Sequence, residues 1–409
     1  MSSKGKSSDV AGGMATLVPK LRFPEFVGQP IQDLRLADAT NESTERNGSG
    51  QTSSQIMGVS KVEGIVPMEE RIVAADTARY KFVRKDWFAY NPMRINIGSI
   101  ARWQGDDDIL VSPDYVVFKC KSSGPHRLDP NYLDHFRRSD AWEDFVSEKG
   151  DGSVRVRIYY KDLARLQLAL PSFPEQQKIA DCLDSVDALI KAQARKVEAL
   201  KAHKKGLMQQ LFPQDGETQP RLRFPEFDGE GAWEEVKLQA ACNMQAGKFV
   251  AAPEIQVQSA EGLFPCYGGN GLRGYTTSFT HSGKYPLIGR QGALCGNVKL
   301  GVGKFHATEH AVVASPKNGI SVDWLFYLLD HLDLNQFATG QAQPGLSVDV
   351  LNNVMTSIPQ NEVEQKSIAD CLTSLDDLIA AETRKLDTLR THKKGLMQRL
   401  FPQVGEDDV

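Results

Sequence analysis

The stretch EQQKIADCLDSVDALIKAQARKVEALKAHKKGLMQQLFPQ, residues 175–214, recurs as EQKSIADCLTSLDDLIAAETRKLDTLRTHKKGLMQRLFPQ, residues 364–403. The two copies align without a gap at an offset of 189 residues, and a shorter stretch, LRFPEF, occurs at residues 21–26 and again at 222–227. Repeats this long indicate two copies of one structural unit. The chain is therefore organised as LRFPEF, a variable block and a repeated segment, twice over.

The repeated segment has the apolar spacing of a coiled-coil helix. Its apolar side chains alternate at intervals of four and three residues, and neither copy has an internal proline or glycine before Gly206 or Gly395. This is the period with which one helix packs along another. Lys204 and Lys393 interrupt the pattern at matched points. The predicted seam consists of Ile179, Leu183, Val186, Ile190, Val197 and Leu200 in the first copy and of Ile368, Leu372, Leu375, Ile379, Leu386 and Leu389 in the second.

The distribution of charge indicates how the two helices pair. Each copy is acidic in its first half and basic in its second half, which complements its own helix dipole. Parallel pairing would place like charges opposite each other, whereas antiparallel pairing brings acidic halves against basic halves. We therefore predict an intramolecular antiparallel coiled coil with a pseudo-twofold axis. A solvated helix pair used only for dimerisation is the alternative.

The expected fold class is α+β, with two α/β domains, one built from each variable block, at opposite ends of the two-helix coiled coil. Strands are expected at residues 115–119, 154–160, 285–288 and 310–314, and helices at 131–147 and 322–337. The predicted divisions are a disordered tail at residues 1–18, a first α/β domain at 19–170, a central helix at 171–214, a second α/β domain at 215–358, a distal helix at 359–403 and an acidic tail at 404–409.

Composition narrows the class of protein. The chain has 409 residues, a net charge of −4 and six cysteines without a CxxC pair. No run of about 18 apolar residues is present, so no transmembrane helix is expected. The cysteine usage is typical of a reduced, cytoplasmic protein without a structural zinc. The net charge disfavours a protein that coats DNA by bulk charge, although local basic faces remain possible.

Both variable blocks carry side chains suited to reading DNA. Arginine reads guanine through two hydrogen bonds, asparagine and glutamine read adenine, and glycine lets the backbone approach a phosphate. Basic residues alternate with aromatic residues in the first block, and polar residues lie in glycine-rich loops in the second. The candidate DNA-binding residues are Lys85, Arg94, Asn96, Arg102, Arg155 and Arg157 in the first block and Asn270, Arg273, Tyr275, Arg290, Gln291, Gln341 and Gln343 in the second.

Two patterns in the second block resemble enzyme motifs. Gly269 to Gly274 fits GxGxxG, but the β-prone sequence that follows is not the helix that a dinucleotide site needs. His306, Glu309 and His310 fit HxxEH, yet the next residues resemble a strand, on which the two histidines would stand roughly 13 Å apart. A zinc-dependent hydrolase using HxxEH stays an alternative. We expect no bound metal and no catalytic residue.

The whole layout resembles the specificity subunit of type I restriction–modification enzymes. Several stretches carry the resemblance: LRFPEF before each block, FVRKDWFAYNPMRINIGSIA at residues 82–101, YGGNGLRGY at 267–275, IGRQGALCGNV at 288–298, and the two EQ…IADCL…KKGLMQ…LF helices. The resemblance implies two target recognition domains on a helical spacer. Together they would read a bipartite, asymmetric DNA sequence with an unspecified gap.

The resemblance also implies partners. Two methyltransferase subunits, which bind S-adenosylmethionine and methylate adenine, would dock on the spacer and the domains. ATP-driven restriction and translocation subunits would complete a phage-defence complex, so this chain would be a non-catalytic subunit without a cofactor of its own. Two further alternatives are a DNA-binding module of another defence system and a coiled-coil scaffold without a DNA role.

Overall fold

The computed structural model of the protein describes residues 18–48, 55–68, 77–148, 157–340 and 344–401. Most of the predicted N-terminal tail and all of the acidic C-terminal tail lie outside the described residues. The chain forms two compact units. Unit 1 comprises Met1–Ala192 and Leu386–Val409, and unit 2 comprises Gln193–Lys385.

Two helices of 39 residues contribute to both units. They are the central helix, Phe173–Leu211, and the distal helix, Glu362–Leu400, and they confirm the helices predicted from the repeat. Each helix is about 58 Å long at 1.5 Å per residue. Residues 173–192 and 386–400 belong to unit 1, whereas residues 193–211 and 362–385 belong to unit 2.

The described residues of unit 1 form three sheets. Antiparallel β1 and β10 form the first, and the two four-stranded sheets have the orders β2-β9-β6-β7 and β4-β3-β8-β5. The strands β1 to β10 are Gln32–Arg35, Thr40–Ser43, Ile56–Ser60, Gly64–Pro67, Lys81–Val83, Phe88–Tyr90, Ile100–Arg102, Ile109–Val111, Val116–Cys120 and Gln167–Leu170. The shorter helices are Leu36–Ala39, Pro130–Phe136, Asp140–Glu148 and Tyr160–Leu163, with 3-10 turns at Pro24–Phe26 and Ile95–Ile97.

Unit 2 has a two-stranded sheet like that of unit 1, but its larger sheet is different. Antiparallel β11 and β18 correspond to β1 and β10, and the remaining strands form a six-stranded sheet with the order β12-β17-β15-β16-β13-β14. The strands β11 to β18 are Glu234–Lys237, Cys242–Ala246, Phe264–Gly268, Gly271–Thr276, His281–Gly289, Val298–Ala307, Ala311–Pro316 and Met355–Ile358. The shorter helices are Leu238–Ala241, Val322–His331 and Val348–Asn352, with 3-10 turns at Pro225–Phe227, Ala252–Glu254 and Leu334–Phe337.

Some elements within the blocks differ from the prediction. The helix expected at residues 131–147 is broken into two between Phe136 and Asp140. The helix expected at 322–337 ends at His331, because Asp333 adopts a left-handed φ of 43° before a 3-10 turn. The strand expected at 154–160 is wrong in its described part, because a short helix begins at Tyr160.

In unit 1 the first half of the central helix packs antiparallel against the last turns of the distal helix. Ile179 and Leu183 share a buried core with Met397 and Leu400. Lys393 Nζ lies 2.7 Å from Asp187 Oδ1, so a basic half meets an acidic half as the charge pattern predicted. Each predicted seam residue in both units is buried or half-buried.

Unit 2 contains the matched antiparallel pairing. Met208 of the central helix shares a core with Leu372 of the distal helix, and Lys204 Nζ lies 2.7 Å from Asp376 Oδ1. Lys204 and Asp376 occupy the repeat positions of Lys393 and Asp187. The two lysines that interrupt the apolar seam are therefore ion-paired across it, once in each unit.

A buried glutamine forms a polar contact in the seam of unit 2. Gln193 is 7% exposed, and its Nε2 donates to Glu382 Oε2 at 2.6 Å and to the Glu382 backbone oxygen at 2.9 Å. Lys196 Nζ contacts the same carboxylate at 2.5 Å, and these partners lower the pKa of Glu382. A polar group at a seam position favours one register, since slippage would leave it buried without a partner.

The first LRFPEF motif braces the ends of both long helices within unit 1. Arg22 Nε donates to Glu175 Oε1 at 2.8 Å, and Glu175 at the start of the central helix is fully buried. The backbone nitrogen of Leu21 donates to the oxygen of Arg399 near the end of the distal helix, at 2.9 Å. One motif thus holds a helix start beside a helix end.

The second LRFPEF motif makes the same contacts within unit 2. Arg223 donates through Nε and Nη2 to the two oxygens of Glu364, both at 2.8 Å, and Trp233 Nε1 donates to the same carboxylate at 3.2 Å. The nitrogen of Leu222 donates to the oxygen of Gln210 at 2.9 Å. The short repeat therefore packs against the long repeat through the same contacts in both units.

The glutamine that follows each of these glutamates forms hydrogen bonds between its helix and the backbone of neighbouring segments in the same unit. Gln176 donates to the backbone oxygens of Arg127 and Pro171, and its own oxygen accepts from the nitrogen of Asp129. Gln365 makes the corresponding three contacts in unit 2, with Gly319, Pro359 and Ser321. The EQ pair is thus explained by packing within each unit.

Candidate nucleic-acid interface

Four loops meet at one edge of the large sheet of unit 2. They are the β13–β14 turn, the loop after β15, the β16–β17 turn and the segment after β12. Backbone hydrogen bonds join them: Arg290 N donates to His310 O at 3.0 Å, and Gly247 N donates to Ala311 O at 2.9 Å. The loops therefore form one continuous surface.

Glycine is needed where these loops touch. A Cβ on Gly289 would lie 1.9 Å from the oxygen of Gly269, and a Cβ on Gly247 would lie 2.2 Å from the oxygen of Ala307. Both distances are shorter than any real Cβ contact, and in each case the neighbour is backbone that cannot swing aside. Close backbone approach is one of the two main uses of glycine in proteins.

We expect Gly289→Ala to lower the free energy of unfolding by about 1–3 kcal/mol, because the added methyl overpacks two backbones. Urea titration of the purified chain measures this. Gly229→Ala is the control, since a Cβ there meets nothing within 4 Å. An equally mild effect of both substitutions would show that the loops are not packed as described.

Several predicted DNA-binding residues lie together on this surface. Asn270, Arg273 and Gln291 line a cavity of about 470 Å³ with His310 and the glycines of the β13–β14 turn. The three predicted residues are exposed. Tyr275 is half-buried on β14, two residues after Arg273.

Arg290, Gln341 and Gln343 complete the predicted DNA-binding residues of unit 2. Arg290 is half-buried in the loop after β15, and its Nε is buried without a hydrogen-bond partner. Gln341 and Gln343 lie outside the described residues. The loops therefore place five of the predicted residues of unit 2 in one neighbourhood.

The enzyme-like patterns of this block have structural explanations. Gly271 and Gly274 lie on β14, in a hairpin with no helix after it, which is not a dinucleotide-binding turn. His306, at the end of β16, bonds to Ser278 Oγ and to the backbone oxygen of Lys248. Because both of its ring nitrogens are engaged, HxxEH does not present two histidines to one ion.

In unit 1 two of the predicted basic residues are engaged with acids. Arg102 has a side chain only 12% exposed, with Nη1 at 3.1 Å from Asp86 and Nη2 donating to Asn131 at 2.8 Å. Lys85 Nζ lies 2.6 Å from Asp106 Oδ1, but this pair is at the surface. Arg102 is thus held inside the unit, whereas an exposed pair such as Lys85–Asp106 is weak and can exchange partners.

The other predicted residues of unit 1 are more accessible. Arg94, Asn96 and Arg157 are exposed, and Arg155 lies outside the described residues. Asn96 lines a cavity of about 370 Å³, and Arg102 lines a neighbouring cavity of about 570 Å³. The two cavities share Lys61, Ile100, Arg137 and Arg138.

Arg137 and Arg138, which line both cavities, were not among the residues predicted from the sequence. Arg137 and Arg138 both bond to Asp134, at 2.7 and 2.9 Å. Burial alone would raise the pKa of Asp134, but the two arginines hold it below its ordinary value. Both arginines sit just beyond the end of the helix Pro130–Phe136, where the predicted continuous helix breaks. A break that was not predicted therefore positions them.

One set of possible metal ligands lies beside the central helix of unit 1. Within the described ranges, one group of three possible ligand side chains has its ligand atoms within 4.8 Å of one another. Its members are His135, Asp184 and Asp187. His135 Nε2 is 2.9 Å from Asp184 Oδ1, while Asp187 is ion-paired with Lys393. Burial lowers the pKa of His135, although Asp184 opposes the shift. The arrangement is typical of a helix-packing network.

A comparison with protein families matches residues 230–391 to the type I restriction modification DNA specificity domain. This range contains all four loops of unit 2. It also includes most of the distal helix. In the part of the chain that the structure describes, no helix has the length and apolarity needed to cross a membrane.

Curated proteins are similar in sequence to parts of this chain. The type I restriction enzyme EcoprrI specificity subunit of Escherichia coli is 44% identical over 158 residues, which is 38% of this chain and 39% of that protein. The MjaVIII specificity subunit of Methanocaldococcus jannaschii is 27% identical over 287 residues, 63% of this chain and 67% of that protein. The match to the first of these relatives thus spans well under half its length.

Solved structures share the fold. The type I restriction–modification S subunit from M. genitalium has a TM-score of 0.60 at 15% identity, covering 95% of this chain and 100% of that chain. A chain from a study of complex assembly in the type I restriction–modification system has a TM-score of 0.58 at 17% identity, covering 91% and 98%. These likenesses concern the mixed α and β architecture.

Proposed function

We propose that the chain is a type I restriction–modification specificity subunit and thus the sequence-reading subunit of such a complex, because residues 230–391 match the DNA specificity domain and a curated specificity subunit is similar over 158 residues. Unit 1 reads one half of a bipartite DNA target and unit 2 reads the other. The single observation that carries the proposal is the match of the DNA specificity domain to the residues that build the loop surface of unit 2.

The loop surface has the properties that base reading requires. Its loops approach one another closely at glycines, and its exposed side chains include an arginine, an asparagine and a glutamine around one cavity. Such side chains make paired hydrogen bonds with guanine and adenine edges in the major groove. The exposed Arg94, Asn96 and Arg157 are the corresponding candidates in unit 1.

The two long helices act as the spacer between the recognition units in this proposal. The matched Lys–Asp pairs and the buried Gln193–Glu382 contact support an intramolecular antiparallel coiled coil with pseudo-twofold symmetry. Recognition units related in this way suit the local dyad of duplex DNA. The spacer length would then set the unspecified gap in the target.

The chemistry belongs to partners in this proposal. Two methyltransferase subunits that bind S-adenosylmethionine dock on the spacer and the recognition units, and ATP-dependent restriction subunits join them. This chain supplies position and sequence selectivity, and it holds no catalytic residue or cofactor itself.

Sequencing of methylated adenines in host DNA tests the proposed function. We expect a bipartite, asymmetric motif to be methylated in the wild-type strain and to lose its methylation when the gene for this chain is deleted. Restoring the gene on a plasmid should restore the motif. Methylation that persists unchanged in the deletion strain would reject the proposal.

A further inference from the structure

Three buried polar atoms without hydrogen-bond partners belong to one small part of the loop surface of unit 2. They are Arg290 Nε, Glu309 Oε2 and His310 Nδ1. The backbones of the three residues are joined, because Arg290 N donates to His310 O at 3.0 Å and Glu309 precedes His310 in the chain. Buried polar groups are normally paired, so three unpaired atoms in one small region require an explanation, and a ligand bound at this surface is one.

The contacts within the cluster leave specific hydrogen-bonding capacity. Glu309 Oε1 lies 3.2 Å from His310 Nε2, so one carboxylate oxygen is engaged and the other is not. Among the described residues, no acid forms an ion pair with Arg290. The cluster therefore holds a guanidinium donor and a carboxylate acceptor on two loops that a backbone hydrogen bond joins.

The cluster is accessible to a large ligand. The side chains of Glu309 and His310 are 33% and 39% exposed, and Arg290 is half-buried. Gln291 and His310 extend the same surface into the cavity that Asn270 and Arg273 line. A ligand lying across these loops would thus contact the cluster and the cavity together.

The charge of the cluster distinguishes a base pair from a phosphate. A phosphate offers only acceptor oxygens and would be repelled by Glu309. The major-groove edge of a guanine–cytosine pair offers two acceptors on guanine, O6 and N7, and a donor on cytosine, the N4 amino group. An arginine fits the guanine acceptors, and a carboxylate fits the cytosine amino group.

We propose that Arg290 and Glu309 together read one guanine–cytosine base pair in the half-site bound by unit 2. This inference rests on the proposed function and adds a base identity to it. Glu309 is then a specificity-determining residue. The HxxEH pattern lies at the β16–β17 turn, which contacts the base pair.

Selection from a random duplex library tests the inference, using the complex that copurifies with the tagged full-length chain. The wild-type complex should enrich a bipartite sequence with an invariant G·C pair in one half. Arg290→Ala should relax the preference at that position alone and weaken binding to the selected duplex roughly 5- to 150-fold, the range expected for one good bidentate contact. Glu309→Gln should also change the preference at this one position.

A modified duplex tests which atom of the guanine is contacted. Replacing that guanine with 7-deazaguanine removes the N7 acceptor, so it should weaken binding of the wild-type complex but not weaken binding of Arg290→Ala any further. Arg221→Ala, at an exposed site distant in sequence from the loops, is the control and should behave as wild type.

Other outcomes distinguish a failure of this inference from a failure of the proposed function. If Glu309→Gln strengthens binding to all duplexes equally, or if Arg290→Ala weakens all of them equally, Arg290 contacts a phosphate and the inference is wrong. An intact bipartite selection by both variants also overturns it. If the wild-type complex enriches no sequence, the proposed function itself fails.

Discussion

Arg223→Ala is expected to lower the free energy of unfolding of the protein by about 3–5 kcal/mol, the cost of leaving a buried charge without its partner. Glu364 is 1% exposed and the Arg223 side chain 11% exposed. The pair is bidentate, with both hydrogen bonds at 2.8 Å. Only Trp233 Nε1, at 3.2 Å, would remain as a side-chain donor to the stranded carboxylate.

Urea unfolding followed by tryptophan fluorescence measures this effect. Arg221→Ala is the matched control, because Arg221 is 65% exposed and pairs with Glu217 at the surface. Its expected loss is below about 1 kcal/mol. Replacing both Arg223 and Glu364 with methionine should recover much of the stability, since no charge is then buried alone. Equal losses for Arg221→Ala and Arg223→Ala would contradict the bracing role of LRFPEF.

Deleting one heptad from each long helix is expected to shorten the gap in the methylated target by roughly three base pairs. Seven residues span about 10.5 Å of helix. Ten base pairs occupy about 34 Å. Removing residues 190–196 and 379–385 keeps the apolar phase, because a heptad returns the seam to nearly the same face. The methylated adenines of cells carrying this variant reveal the new gap.

A deletion in only one helix is the control for this experiment. A deletion in one helix changes the spacing between the two Lys–Asp pairs along that helix but not along the other. Lys204–Asp376 and Lys393–Asp187 therefore cannot both form. Methylation of the target should then be lost. A double-deletion variant that methylates the original gap would show that the helices do not set it.

The long helices were predictable because their signals are local. Apolar period and charge distribution can be read along one segment, and they correctly indicated helices that pair acidic half to basic half. The Arg223–Glu364 pair was not predictable in this way, since 141 residues separate its partners. Lys204 was recognised as an interruption, but its partner Asp376 became known only from the structure.

The candidate site was predictable by region more than by residue. Glycine-rich loops with polar side chains indicated the surface on which Asn270, Arg273 and Gln291 lie together. Composition did not reveal that Arg102 is enclosed by Asp86 and Asn131, because those contacts depend on how β7 meets its neighbours. Side-chain type is a property of sequence, whereas accessibility is a property of packing.

Exchange of the recognition block of unit 2 tests the central claim most directly. Residues 242–354 would be replaced by the corresponding block of a relative with a different methylation motif, leaving β11, β18 and both long helices in place. Sequencing of methylated adenines should show one half-site changed to that of the relative, with the other half-site and the gap retained. A motif that changes in both halves, or in neither, would contradict the assignment of one half-site to each unit.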